Sequence, residues 1–328
     1  WFSLDFPRNN FFFKFLHKIP FVLDFYILVR TLFLKKKIFN AIETLKPDII
    51  FCQLRSNPLF MINKIIKKFD IPVNGMIEDT VEREIDSNFI SYYIKKKSYY
   101  KAIPKMFKLG VAGETLKKYI EDNYNIDAYV IRPWYNKSSI VKELNNNINI
   151  FFGGNLYAKT EFYQFIKALD IFSEKYKNFN INFIVATKSK INFVPKFFEI
   201  KELGWVSEQN LNLQVEKCHI SYLPYIFDSK LEHSMTYAFP GKAGYYISNN
   251  LPILFHGPKY SSFNTFLKHN KVGVSCSSLD LNEIVESISK LINKKDTYNI
   301  YQNNIDKAYN SEYNKSQFDS QINKLYYL

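Results

Sequence analysis

The segment TYAFPGKAGYYISNNLPILFHG, residues 236–257, sets a lysine at the start of a helix-like run, directly after a Pro-Gly turn. A helix N-terminus carries partial positive charge, so a cation there is disfavoured unless an anion sits beside it. Helix starts collect phosphates, and Lys242 would add a point charge to such a grip. The alternative is a solvated surface lysine, and this segment alone does not choose between them. Related chemistry stands at the ends of other apolar runs. FFGGN places Gly153, Gly154 and Asn155 just after a strand, with Lys159 opening the next helix. Paired glycines let backbone N–H groups approach a phosphate. VATKSK ends a run with Lys188, and ELGWVSEQNL ends another with Trp205 and Val206. Ser207 is then placed to cap a helix, with Gln209 and Asn210 within reach.

These residues need elements to hold them. AIETLKPDIIFCQ reads as helix, turn and buried parallel strand, and PLFMINKIIKKFDIPVNGMIED repeats that unit. KMFKLGVAGETLKKYIEDNYNIDAYVIRPW gives a third, with a helix from Glu114 and a strand over Ala128 to Ile131. After the polar stretch KELNNNIN, the alternation restarts. The second half predicts strands at INIFFGG, INFIVAT, IKELGWV, HISYLPY, Leu251 to Phe255 and VGVSC, with helices at 160–176, 208–217, 261–269 and 281–293 and one beginning at Gly241. Helices alternating with short buried strands specify an α/β protein with parallel sheets. In such sheets ligands bind beyond the carboxyl ends of the strands, where Gly153, Lys188, Trp205 and Lys242 are expected.

Bulk properties narrow the function class. The chain has 328 residues, 47% of them hydrophobic, enough for two domains with substantial cores. A net charge of +13 points to an anionic partner: nucleic acid, a negatively charged membrane face or phosphorylated substrates. Zinc-finger spacing and RNP-type aromatic motifs are missing from the sequence, and lysine dominates the basic runs, so no nucleic-acid partner is expected. Cys52, Cys218 and Cys276 are odd in number and far apart, which argues for a reducing compartment and structural roles. The run FVLDFYILVRTLFLKKK, interrupted by Asp24 and Arg30, is too short for a membrane span. It reads equally as an interfacial helix with Lys35, Lys36 and Lys37 toward anionic headgroups or as a core helix with a basic end. In the first half, Glu78 and Asp79 follow a strand, with Arg83 nearby. They read as acids that orient an acceptor hydroxyl or act as base, or as solvated turn acids. His17 reads as structural.

The second half resembles the donor domain of GT-B glycosyltransferases, in particular the large retaining group known as family four. The matching stretches are FFGGNLYAK, ELGWVSEQNLNLQVEKCHISYLPY, FPGKAGYYISNNLPIL and KVGVSCSSLDLNEIVESISKLI, spanning about Ile148 to Ile292. A weaker likeness covers 41–135, where KPDIIFCQ, IPVNGMIED and VIRPWYN take the places of acceptor-domain strands. The resemblance implies two Rossmann-like domains facing across a cleft. Residues 1–140 would form the acceptor-side domain, lacking its first strand, and 141–295 the nucleotide-sugar-binding domain. Residues 296–328 would form C-terminal helices crossing back to the first.

The implied activity is transfer of a sugar from a nucleotide-activated donor to a hydroxyl of a glycan or lipid-linked acceptor, in bacterial cell-surface polysaccharide or glycolipid synthesis. The implied enzyme is retaining and metal-independent, needs no cofactor, and works in the cytoplasm, peripherally on the inner face of the membrane. Lys242 and Lys159 would stabilise the leaving diphosphate, with Glu78 and Asp79 on the acceptor side. Gly153, Gly154, Asn155, Lys188, Trp205 and Val206 would contact the donor. So would Phe239, Pro240, Gly241, Ala243, Gly244 and Tyr245, the block around the lysine. The sequence has no Asp-x-Asp triplet of the metal-binding kind. One departure stands out: the family carries two glutamates here, with seven residues between them, the second on the donor ribose. Glu232 is placed as the first, but that spacing ends on Pro240, and alignment on the F-P-x-K block puts Tyr245 at the missing acid. An inactive GT-B-like partner in polysaccharide assembly is therefore a second reading. A GT-B sugar epimerase is a third, without the cleft carboxylates that it needs.

Overall fold

The structure is a computed structural model that describes residues 22–55, 57–80 and 89–326. His17, Arg83 and the segment before Val22 lie outside the described residues. The chain divides into two compact units, one of residues up to Ile131 with those from Gln321 on, the other Arg132–Ser320.

In the first unit, α1 (Val22–Leu45) is followed by β1 (Ile50–Gln53), α2 (Ile62–Lys68), β2 (Val73–Ile77), α3 (Phe89–Ala102), β3 (Leu109–Val111), α4 (Glu114–Tyr124) and β4 (Ala128–Val130). The strands form one parallel sheet in the order β1-β2-β3-β4. Asn74, buried in β2, accepts from the Lys108 N–H at 3.1 Å and donates to the Leu325 carbonyl. A buried amide is tolerable only with such partners, and here they tie the chain's last turn to this sheet.

The second unit contains β5 (Asn147–Gly153), α5 (Lys159–Lys175), β6 (Asn180–Ala186), β7 (Glu199–Glu202), α6 (Glu208–Val215), β8 (Ile220–Pro224), α7 (Glu232–Tyr237), α8 (Lys242–Ser248), β9 (Ile253–His256), α9 (Ser262–Asn270), β10 (Gly273–Cys276), α10 (Leu281–Ile292) and α11 (Lys295–Glu312), before α12 (Lys315–Tyr326). Its six parallel strands run β10-β9-β8-β5-β6-β7. The sheet grows one way from β5 to β7 and the other way from β5 to β10, the order of a dinucleotide-type doubly wound sheet. The inner strands carry buried apolar runs because both their faces are covered, whereas the edge strand β7, EIKE, is polar and largely exposed. Ile148, Ile150 and Phe152 of β5 enter the core shared with α5 and α10, whereas Phe151 enters the opposite core with α8 and α9. Side chains alternate across a strand, so one continuous run feeds two cores. Three helices of this unit start on the caps their sequences provide: Ser207 accepts from the Asn210 N–H, Ser261 from Asn264, and Asp280 from Asn282 and Glu283.

The strand expected over IKELGWV ends early, at Glu202. Gly204 sits at φ +66°, a left-handed turn that takes the chain out of the sheet before Trp205.

Candidate functional site

The reversal of strand order falls at β5, and crevices form beyond the carboxyl ends of strands at such a point. A cavity of about 370 Å³ lies there, lined by Phe151, Gly153, Gly154 and Ala186 from the β5 and β6 ends and by Gly204, Trp205 and Val206 beyond β7. Glu208 and Leu211 of α6 and Lys242, Tyr245 and Tyr246 of α8 complete it. That volume is in the range of small-molecule sites.

Lys242 is the first residue of α8, and its Nζ is fully buried without a hydrogen-bond partner. Aromatic faces surround it instead: the amine lies 4.6 Å from the Phe152 ring centroid and 5.9 Å from that of Tyr157. Ring quadrupoles attract a cation but do not replace the water it has lost. Burial accordingly pulls the amine down from 10.5 to about 8. Helix α8 is only seven residues long, so its dipole is a small term beside the charge of the ammonium.

The glycine loop passes close to that amine. Gly154 has φ +104°, and a Cβ on it would stand 3.6 Å from Lys242 Nζ. Its N–H donates to the Ala186 carbonyl at 2.9 Å, and the Gly153 N–H donates to the Tyr246 hydroxyl at 3.2 Å. These N–H groups are therefore not the free phosphate donors that the sequence suggests. What the glycines contribute is room beside the lysine.

The turn before α8 is braced from behind. The Tyr135 hydroxyl donates to the Gly241 carbonyl at 3.2 Å. A Cβ on Gly244 would meet the Tyr135 ring at 2.5 Å and the Tyr313 ring at 2.8 Å, so only glycine fits. Phe239 packs under the Arg132 guanidinium at 4.4 Å, Pro240 is buried, and Ala243 is in the core. Those three position the lysine and do not line the cavity.

Tyr245, at the place of the missing acid, lines the cavity and donates its hydroxyl to Asn212 Oδ1 at 2.7 Å. Burial pushes the phenol up, and the negative charge of Glu208 is the next contribution. The Tyr245 proton is committed to Asn212, which leaves only a lone pair for a ligand. Trp205 is 72% exposed, with the Lys188 amine 4.3 Å from its ring centroid. Lys188, Asn155 and Lys159 are all exposed and are not among the lining residues. Glu232 is also exposed, at the first turn of α7. Glu78, at the carboxyl end of β2 in the first unit, is paired with Arg55 at 3.0 Å, and Asp79 follows it. Sequence reasoning missed the ring cradle of Phe152 and Tyr157 and, among the lining residues, Phe151, Ala186, Gly204, Glu208, Leu211 and Tyr246.

No family model matches the chain, and none of the curated proteins compared with it does. Solved structures match in fold. OtsA in its apo form aligns with a TM-score of 0.63, over 93% of this chain and 78% of its own, at 11% identity. A structure described as trehalose-6-phosphate from E. coli bound with UDP-2-fluoro glucose aligns at 0.61, over 90% and 77%, at 10% identity. WaaG, a glycosyltransferase involved in lipopolysaccharide biosynthesis, aligns at 0.52, over 80% of each chain, at 10% identity. At these identities the likeness is one of fold, and together with the two parallel sheets it shows that the chain has the GT-B fold.

Proposed function

We propose that the chain is a glycosyltransferase that moves a sugar from a nucleotide-sugar donor to a hydroxyl of a glycan or lipid-linked acceptor. The observation that carries this reading is the Lys242 amine, buried and without a hydrogen-bond partner, on a residue that lines a cavity at the sheet's reversal point. Such a cation lacks only an anion. A diphosphate leaving group acquires negative charge as the anomeric C–O bond breaks, and a fixed cation in a water-poor site stabilises that charge where it develops. In the retaining reaction proposed here, the acceptor hydroxyl gives its proton to a donor phosphate oxygen as the new glycosidic bond forms. Lys242 then serves in place of a metal ion. The acceptor-side roles of Glu78 and Asp79, and the support of Lys159 and Lys188 for the diphosphate, belong to the same proposal.

Synthesis of a bacterial surface polysaccharide or glycolipid, at the cytoplasmic face of a membrane, is the setting we propose. Among the described residues no helix is long and apolar enough to cross a membrane. On α1, Leu32 and Phe33 are exposed beside exposed Lys36 and Lys37, a combination suited to an anionic surface. The test of activity is donor hydrolysis by purified protein across a panel of sugar nucleotides, with thermal shift to find the preferred one. Slow cleavage of one donor supports the transferase. Binding without cleavage, with or without acceptor, favours the inactive-partner reading, which the Tyr245–Asn212 bond at the place of the missing acid supports.

A further inference from the structure

A helix as short as α8 has no stability of its own, so its place is set by whatever holds its ends. Both ends are held by one segment, residues 132–140, which contains no helix or strand and opens the second unit. At the start of α8, the Tyr135 hydroxyl donates to the Gly241 carbonyl at 3.2 Å. At its end, the Ser138 N–H donates at 2.8 Å to the Ser248 carbonyl, one of the last carbonyls that a helix cannot satisfy itself. Asn250, just past that end, donates its side-chain amide to the Ser138 and Ile140 carbonyls at 3.2 and 3.1 Å. Between these ties the Tyr135 ring meets the Tyr245 ring edge-on, with centroids 6.3 Å apart, and closes against Gly244. The segment is anchored in turn on α11 and the residue that ends it. The Tyr309 hydroxyl donates to the Tyr135 carbonyl at 2.8 Å, the Tyr135 N–H donates to the Tyr313 carbonyl at 3.1 Å, and Lys137 pairs with Asp306.

We propose that Tyr135 is a positioning residue for the transfer reaction: it sets Lys242 against the cavity by fixing the turn that carries the lysine, while Ser138 fixes the other end of the same helix. The inference rests on the reading that Lys242 meets the donor diphosphate. Tyr135 does not line the cavity, so it acts through the lysine. The Lys242 amine has no hydrogen-bond partner, and only its backbone and two aromatic faces hold its direction. A shift of the turn by about an ångström would therefore carry the charge away from the oxygen it has to stabilise, and misplacement on that scale is costly in rate.

The test compares Tyr135→Phe, which keeps the ring against Gly244 and removes only the hydroxyl, with Tyr163→Phe. Tyr163 sits on α5 against the other core of the unit, where its hydroxyl accepts from the Asn192 N–H at 3.2 Å. Each variant loses one phenol hydrogen bond, and both should lower the melting temperature by similar small amounts. Tyr135→Phe should also lower turnover with the preferred sugar nucleotide about 3- to 10-fold and weaken calorimetric binding of inorganic pyrophosphate to a similar degree. In the same variant the Lys242 amine, freed toward water, should titrate by NMR above its wild-type value of about 8. Tyr163→Phe should leave all three readouts at wild-type values. A Tyr135→Phe that matches Tyr163→Phe in turnover or in the amine titration overturns the assignment. So does a loss confined to the donor Michaelis constant, which would put the phenol on the substrate itself. In those cases the diphosphate reading stands as long as Lys242→Met weakens pyrophosphate binding. If Lys242→Met leaves pyrophosphate binding unchanged, that reading falls and this inference with it.

Discussion

Lys142 and Lys242 both belong to the second unit, and both amines are buried, but in opposite situations. Lys142 is 5% exposed, and its Nζ donates to the Val215 and Glu216 carbonyls at the end of α6. Those are orphan carbonyls at the negative end of a helix, the place where a lysine satisfies both hydrogen bonding and dipole. Lys242 stands at the start of a helix, with no carbonyl to meet and two aromatic faces beside it. Burial pulls both amines down, although the charges of Cys218 and Glu216 push Lys142 partly back. The difference teaches that burial of a lysine says little about its use. The first one is finished by the fold, and the second is left for a ligand.

That contrast can be broken most sharply through activity. Lys242→Met should lower turnover with the preferred sugar nucleotide by roughly 30- to 1000-fold, the loss of about 2–4 kcal/mol of transition-state stabilisation. Lys142→Met should leave turnover within about threefold of wild type, since its amine only closes a helix end. Steady-state kinetics on the two variants decides, and equal losses would erase the distinction.

Stability should move the other way. Lys142→Met strands two carbonyls and should cost about 2 kcal/mol in chemical denaturation. Lys242→Met removes an unpaired buried cation and should stabilise the protein at pH 7 by an amount on the order of 1–2 kcal/mol. The sign follows from proton binding. Between about pH 8 and 10.5 the unfolded chain holds the Lys242 proton that the folded chain has released, so wild-type stability rises with pH there. Relative to Lys242→Met, the wild type should recover its deficit across that window.

Ligand affinity supplies a smaller effect. Only the ammonium form attracts a diphosphate, so wild-type affinity for the tightest nucleoside diphosphate should start to fall as pH rises above about 8. Complex formation raises the amine's pKa, which limits the fall to about tenfold over the next one to two pH units. The Lys242→Met profile should be flat, and parallel profiles would point to some other titrating group. Smallest of all, Tyr245→Phe loses one hydrogen bond to Asn212 and should cost about 0.5–1.5 kcal/mol of stability, with a donor Michaelis constant changed by less than about threefold. A large rise in that constant would put the phenol itself on the ribose.

Much of this was legible in the sequence where local pattern and tertiary role coincide. Strand β5 carries the continuous apolar run Ile150 to Phe152, buried on both faces, so INIFFGG announces itself. The Ser207 cap was legible because capping is a local bargain between one hydroxyl and one N–H. The segment 89–102, FISYYIKKKSYYKA, gave no helical signal although it forms α3, because its aromatic and β-branched residues are indifferent helix formers. The GT-B resemblance pointed to Lys242, but not to why its amine is special. Its ring cradle comes from Phe152, ninety positions earlier, and only the fold brings them together. Glu208 was invisible for a related reason. A first-turn glutamate looks the same whether it faces solvent or a cavity.

The most direct measurement is an NMR titration of the Lys242 amine, assigned by its loss in Lys242→Met, with and without the tightest-binding nucleoside diphosphate. The account predicts a pKa of about 8 in the free protein and a rise of at least about one unit when the diphosphate is bound. An amine that titrates near 10.5 in the free protein, or one that does not respond to the diphosphate, would contradict it.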